Sequence, residues 1–431
     1  MNNMDYRQII IFWKEVVIPK VLERSTKITE NTDFVITITG PRRAGKTYFC
    51  FQMINQLFEK GISKENVFYI NFEDNKLLGA DSKDLDKLIE FYFEMSQINK
   101  KQKIYLFLDE IQTVKNWDSW VRTVNDTRKN IQLVITGSSS KLLSKEISTK
   151  LRGRVLNYEI FPLSFREILN WENIKYDIKT ISYSKDKTQI KKLFTSFVSN
   201  GGFPAVISQN LQKENILQSY YESMILKDIV ERYKIEDVNK LRTLANLLFE
   251  SVSKEISYSK LANKLNSIGF KISKNTVIEH LSHFEDAYLF FQNLKYEYSL
   301  AKQLGSIKKL YCIDNGLLNS VSFKFSEDSG KLLENLAFIE LRRRNEQVYY
   351  FRKNYECDFL IVRKNKPVLA VQVTKKLDED NEKREINGLM EAMKEHKLRE
   401  GMILTEEQEE ERIIEGKKIT ILPVWKWILI G

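Results

Sequence analysis

Cysteine and histidine are scarce in this chain of 431 residues, three of each. Cys50, Cys312 and Cys357 lie far apart with no CxxC spacing, which argues against a disulfide framework or a zinc cluster and fits a reducing compartment. His280, His283 and His396 are too few for a multi-histidine metal centre, so any metal is expected on oxygen ligands. Glycine (16) and proline (6) are too rare for a collagenous, linker-rich or low-complexity chain. No apolar run approaches the roughly 18 residues that span a bilayer. Met1-Asn2-Asn3-Met4-Asp5 also lacks the basic start and apolar stretch of a signal peptide. A soluble, cytoplasmic protein without a membrane role is expected. An excess of one charge is nearly missing too: 68 Lys+Arg against 58 Asp+Glu give +10, which permits nucleic-acid contact without establishing it.

What is present is a well-mixed globular composition, 42% hydrophobic and 29% charged. At roughly 100 to 200 residues per domain the length suggests several cores, and three are expected.

The most informative stretch is the apolar, β-branched run Phe34 to Thr39 followed by Gly40-Pro41-Arg42-Arg43-Ala44-Gly45-Lys46-Thr47 and then, from Tyr48, a helical pattern. This GxxxxGKT pattern predicts a strand, a phosphate loop and a helix. Glycines let backbone N–H groups approach phosphates, and the helix presents its positive N-terminal end. Gly40 to Tyr48 are therefore the candidate ATP-binding residues. Lys46 is expected to reach the β- and γ-phosphates, and Thr47 to offer its hydroxyl to Mg²⁺.

A second buried strand, Lys103 to Leu108, ends in Asp109-Glu110. A parallel strand delivers such residues to the ligand crevice, where Asp109 would orient Mg²⁺ and Glu110 would polarise the attacking water. A third run, Gln132 to Thr136, leads into Gly137-Ser138-Ser139-Ser140. Ser138 is the favoured γ-phosphate sensor there, although each serine also suits a turn or a helix cap. In Leu151-Arg152-Gly153-Arg154, Arg154 is the candidate for stabilising transition-state charge, on its own site or a neighbour's; a solvated turn fits the same residues.

With Val67 to Phe72 and Val155 to Ile160 as further strands, about five strands alternate with helices, hence an α/β parallel sheet. These motifs, together with Leu108-Asp109-Glu110-Ile111-Gln112, Trp117 and Pro162-Leu163-Ser164-Phe165, resemble the archaeal and bacterial AAA-domain ATPase family. The resemblance implies a P-loop NTPase fold of the additional-strand, catalytic-glutamate type. The sensor strand would separate the strand of Asp109 and Glu110 from the phosphate-loop strand.

Beyond about Asn200 the pattern turns helical, with a break at Gly201-Gly202-Phe203-Pro204 and a helix over Tyr220 to Tyr233 carrying Leu226-Lys227-Asp228-Ile229. Both resemble the same family's path to its second domain. Between Asp237 and Tyr298, helix candidates precede a helix over Asn275 to Ala287, capped by Ser273, and a strand over Tyr288 to Leu294. That order predicts a winged helix. Eight Lys/Arg against six Asp/Glu over residues 240 to 300 is a weak positive excess. Duplex DNA binding and a protein-interaction role both stay open.

The last domain starts with an amphipathic helix from Leu332, then strands Val348 to Phe351, Cys357 to Val362 and Val368 to Val373. It resembles the family's C-terminal domain, similar to Mg²⁺-dependent restriction-type nucleases. Glu334, Asp358 and Gln372 match that pattern, but its lysine position holds Thr374. Lys375 is displaced by one residue, which on a strand turns it to the opposite face. A degenerate fold that docks a protein partner is expected rather than a nuclease. The acidic run Glu406 to Glu411 predicts a helix start, and Thr420 to Ile430 a return to the sheet.

The expected organisation is an ATPase domain at 1–175, a helical linker at 176–236, a winged helix at 237–305 and a nuclease-like α/β domain at 306–431. The expected activity is Mg²⁺-dependent hydrolysis of ATP to ADP and phosphate. A homo-oligomer is compatible with it. A slowly turning nucleotide-gated DNA switch and an ATP-coupled DNA nuclease are the alternatives.

Overall fold

The computed structural model describes residues 5–29, 32–140, 149, 151, 153–209, 212–322 and 329–430. Two compact units emerge, Met1–Ile160 and Phe161–Gly431, so the boundary expected at 175 falls inside the second. Among the described residues, no helix is long and apolar enough to cross a membrane.

In the first unit β1 (Val35–Thr39), β2 (Val67–Asn71), β3 (Ile104–Asp109), β4 (Ile131–Gly137) and β5 (Val155–Glu159) form a sheet of order β2-β3-β4-β1-β5. Every pairing in it is parallel. The strands β1, β3 and β4 are buried along their whole length, as uninterrupted apolar runs require when helices cover both faces. Those helices are α1 (Tyr6–Glu15), α2 (Lys46–Glu59), α3 (Ser82–Met95) and α4 (Trp117–Thr127). Reciprocal bonds between Asp81 and Asp84 start α3, and Trp13 ties α1 to β2 by donating to the Val67 carbonyl at 2.7 Å. β4 separates β3 from β1, the order the resemblance implied.

The second unit opens with α5 (Phe165–Trp171), begun by a Ser164–Glu167 capping box, and α6 (Lys187–Asn200). The Gly201-Gly202 break has a steric cause: a Cβ on Gly202 would stand 2.2 Å from the Leu163 carbonyl oxygen. α7 (Lys213–Ser223) continues as a π-helical stretch, Met224–Glu231, where an ordinary helix was expected. This wider winding carries Asp228 into the interior, where it pairs with Arg232 at 3.2 Å.

Next come α8 (Val238–Glu250), β6 (Glu255–Ile256), α9 (Tyr258–Ser267), α10 (Lys274–Asp286), β7 (Phe290–Asn293) and β8 (Lys308–Cys312). The three strands form an antiparallel sheet of order β6-β8-β7. Ser273 caps α10 as expected, accepting from the Thr276 amide at 3.0 Å. Because β8 completes this sheet, the module runs past 305.

After a short helix, Asn315–Val321, the elements from Ser329 on are α11 (Ser329–Arg343), β9 (Gln347–Arg352), β10 (Glu356–Arg363), β11 (Lys366–Val373), α12 (Glu382–Glu395), β12 (Glu400–Thr405), β13 (Glu410–Ile414), β14 (Lys417–Pro423) and α13 (Val424–Ile430). Their sheet has the order β13-β14-β12-β11-β10-β9. The run Glu406 to Glu411 leads into edge strand β13 rather than a helix. Its charges are matched across the hairpin, Glu411 to Lys418 at 2.7 Å, and charge suits an exposed edge. The strand expected over Thr420 to Ile430 stops at Pro423, which has no N–H to extend the ladder, and α13 buries Trp425 and Trp427 instead.

Candidate nucleotide site and a buried lysine cluster

At the carboxyl edge of the first sheet, the phosphate loop leaves β1 through Gly40, where a Cβ would meet the Ile160 carbonyl oxygen at 2.0 Å. Gly45, at φ 99°, turns the chain into α2, so the free N–H groups of its first turn face the loop. The Lys46 ammonium is buried, donates to the Gly40 and Pro41 carbonyls at 3.1 Å each, and stands 3.5 Å from Glu110. Phosphate oxygens can replace those carbonyls without moving the lysine far. Ala44 is buried in the loop, Arg42 pairs with Glu73 at 2.7 Å, Arg43 takes a left-handed conformation, and Tyr48 is exposed.

Three hydroxyls converge on Asp109. Thr47 and Tyr69 each donate to Oδ2 at 2.7 Å, and Thr136 bonds Oδ1. Burial and the adjacent Glu110 charge raise the Asp109 pKa, opposed by those hydroxyls. Glu110 occupies a left-handed turn (φ 54°), and its amide donates to Thr136 Oγ1 at 2.9 Å. Burial pushes the Glu110 carboxyl upward, but Lys46, the Gln112 hydrogen bond and Arg42 outweigh it and hold it below the ordinary glutamate value. Glu110 is thus a carboxylate at neutral pH, able to accept a proton.

For magnesium, the residues present fit. Thr47 Oγ1 and Asp109 Oδ2 are oxygen donors 2.7 Å apart, and among the described residues no group of three or more His, Cys, Asp or Glu forms a metal cluster. Such a sparse set suits an ion that fills its octahedral shell with water and phosphate oxygens.

Of the expected site residues, Lys46, Thr47, Asp109 and Glu110 meet. Ser138 is buried just past β4, but the hydroxyl bonded to both acidic residues is that of Thr136, two positions earlier. Arg154 is not brought to the loop. It precedes β5, which runs parallel to β1 from the pair Val35–Val155, and it bonds to Asp126. That places it at the opposite sheet edge, a five-residue strand or roughly 16 Å away. Arg152 lies outside the described residues. Sequence reading gave no role to Thr136, Tyr69 or Gln112, although Thr136 and Gln112 stand in stretches it singled out. It also passed over Arg24, whose guanidinium donates to the Ala44 carbonyl at 3.0 Å while its amide is held by Gln52 at 2.7 Å. Thr136 had a readable signal, the last β-branched hydroxyl of its strand; Tyr69 and Arg24 come from segments without a motif.

In the second unit Glu334, Asp358 and Gln372 do converge, around a lysine the motif did not foretell. Lys309 Nζ lies 2.7 Å from Glu334, 2.8 Å from Glu356 and 2.9 Å from Asp358, and is 1% exposed. Tyr311, on the same face of β8, donates to Glu334 at 2.8 Å. Gln372 accepts from the Asp358 amide at 3.2 Å and donates to Glu385 at 2.6 Å. Burial and the neighbouring Asp358 push the Glu334 carboxyl up to about 8 despite Lys309. The three carboxylates raise Lys309 well above the ordinary lysine value against the effect of burial. Lys375 is exposed, away from the cluster.

A parallel sheet of this order, with a phosphate loop after β1 and paired acids after β3, is the P-loop NTPase fold in its AAA form. A family model described as an AAA domain matches residues 32–169, and two described as domains of unknown function, DUF8612 and DUF4143, match 191–328 and 329–427. The uncharacterized protein MJ1544 of Methanocaldococcus jannaschii is 41% identical over 424 residues, spanning 95% of this chain and 91% of that protein. An uncharacterized protein of Haemophilus influenzae is 32% identical over 403 residues, spanning 93% and 95%. The chain belongs to the family of AAA-domain proteins that these relatives represent. Among solved structures, Aeropyrum pernix ORC1 in complex with DNA aligns at 11% identity over 67% of this chain and 86% of that one, TM-score 0.28. Thermotoga maritima RuvB aligns at 14% over 60% and 82%, TM-score 0.29. With scores this low, these alignments carry no weight, and membership of the family rests on the two relatives.

Proposed function

We propose that the chain is a Mg²⁺-dependent ATPase that releases ADP and phosphate and couples nucleotide state to its middle and C-terminal modules. The observation that carries this is the convergence at one loop of Lys46, 3.5 Å from Glu110, with the Thr47–Asp109 pair, 2.7 Å apart, the Glu110 carboxyl being held below its ordinary value mainly by Lys46 against burial. Lys46 and the first amides of α2 hold the β- and γ-phosphates. Thr47 and Asp109 would hold magnesium, which when bound neutralises phosphate charge. Glu110 takes a proton from water as its oxygen bonds the γ-phosphorus and the bond to the bridging oxygen breaks, so that ADP leaves. Ser138 faces the γ-phosphate in this reading. Arg154, at the far edge of its own sheet, would serve only the nucleotide of a neighbouring copy, which makes a homo-oligomer part of the proposal.

Calorimetric titration with Mg·ATP tests the binding half. Lys46→Ala is expected to weaken ATP about 10- to 100-fold, the worth of a charge-assisted hydrogen bond. An unchanged affinity would remove the phosphate-loop assignment.

A second reading, a nucleotide-gated DNA switch, draws on the middle module. Its order α8-β6-α9-α10-β7-β8, with a short helix Leu300–Gly305 between the last two strands, supports a winged-helix reading, and α10 with its approach presents Lys271, Lys274, Asn275 and Ser282 outward. Glu279 shares that face. The segment between β7 and β8, where a wing would stand, is bonded to β9: the Tyr296 amide reaches the Tyr350 carbonyl at 2.8 Å and the Tyr350 amide the Leu294 carbonyl at 3.0 Å. This favours docking on protein; duplex binding that falls steeply with salt would reverse that preference. The nuclease alternative gains no support from the C-terminal cluster, since Lys309 occupies the place a metal would take among its buried carboxylates.

A further inference from the structure

We propose that Gln112 is a second water-holding residue of the hydrolytic site, its Oε1 accepting one hydrogen of the attacking water while Glu110 takes the other as a proton. This rests on the ATPase reading above. Gln112 stands in the turn Ile111–Thr113 that follows Glu110. The turn is rigidly seated: Ile111 is fully buried, and the Thr113 hydroxyl donates to the carbonyls of Phe72 at 3.2 Å and Glu110 at 3.1 Å.

Gln112 Nε2 donates to Glu110 Oε2 at 2.5 Å. An ionised carboxylate only accepts, so the amide NH₂ must face it, and turning the amide over would set oxygen against oxygen. The direction of Gln112 Oε1 is thereby fixed as well. That oxygen is buried and has no hydrogen-bond partner among the described residues. A buried acceptor left unpaired is costly, and one hinged to the candidate base is completed when a water lies between them. Two fixed acceptors then orient both hydrogens of the water and direct its lone pair to phosphorus. The hydrogen on Gln112 stays with the water oxygen and leaves in the phosphate product, so Gln112 is neither acid nor base. A glutamine orienting the attacking water is chemically sufficient for phosphoryl transfer to water.

Steady-state phosphate release by Gln112→Ala and Gln112→Lys separates this role from simple support of Glu110. Lysine keeps a donor toward Glu110 but has no acceptor. Both variants are expected to lose about 10- to 100-fold in kcat at unchanged ATP affinity, as when one transition-state hydrogen bond is removed. Recovery of wild-type kcat in Gln112→Lys would overturn the water-holding role and leave a positioning residue. Wild-type kcat in both would remove any role. Absence of turnover in the wild type would instead remove the ATPase reading and this inference with it. Unchanged thermal midpoints and ATP titrations show that either variant is folded.

Discussion

Phosphate release by Glu110→Gln is expected to run about 10²- to 10⁴-fold below wild type, the usual contribution of a general base. Glutamine keeps the size of the side chain and can still bond to Gln112, so the turn held by Ile111 and Thr113 stays in place. What it loses is the capacity to take a proton. ATP affinity should be equal or higher, since the Glu110 charge that competes with phosphate for Lys46 at 3.5 Å is gone. The wild-type pH profile carries the same signature. Lys46 and Gln112 hold the Glu110 pKa below its ordinary value against the effect of burial, so turnover is kept above that lowered pKa and lost only as pH falls through it. An acid limb near neutrality, or a Glu110→Gln variant with wild-type turnover, would assign the base to another group.

The second large effect is on stability. Lys309→Met is expected to cost about 3–5 kcal/mol in the second unit, the penalty for stranding buried charges by removing their partner. Methionine replaces the length and apolar stem of the lysine but leaves Asp358 without its cation and Glu334, which holds a proton up to about pH 8, without its ammonium partner. Urea midpoints at neutral pH measure it. The pH dependence has a definite sign. Glu334 has a folded pKa of about 8, above its unfolded value, so its contribution is full below the unfolded pKa and is lost as pH rises through 8. In Lys309→Met the Glu334 carboxyl, freed of the ammonium that lowers its pKa, takes up its proton more readily, so the deficit should narrow as pH falls. Equal midpoints in the two proteins would mean that the ammonium adds nothing net.

The nucleotide site was more legible in the sequence than the second site because its chemistry is local. Gly40 to Thr47 form one continuous loop and Asp109-Glu110 one strand end, so spacing along the chain reports their geometry. Thr136 and Tyr69 reach Asp109 only because β4 and β2 flank β3, and strand order is not written in a linear pattern. Arg154 shows the same limit: its motif left its own site and a neighbour's both open, and only strand direction sets a residue before a parallel strand at the edge away from its own phosphate loop. Lys309 was hidden for a related reason. It lies on β8 of the three-stranded sheet, whereas Glu356 and Asp358 lie on β10 of the next, and only the tertiary fold joins them. The β13 hairpin was misread from its acidity, since an unbroken acidic run suits a solvated helix start and a charged edge strand alike over six residues.

The most direct measurement of the central claim is multiple-turnover phosphate release from ATP by the full chain, with excess Mg²⁺ and then with the metal chelated. The account predicts steady release that stops on chelation. ATP binding with no release in the presence of Mg²⁺, or release indifferent to chelation, would contradict it.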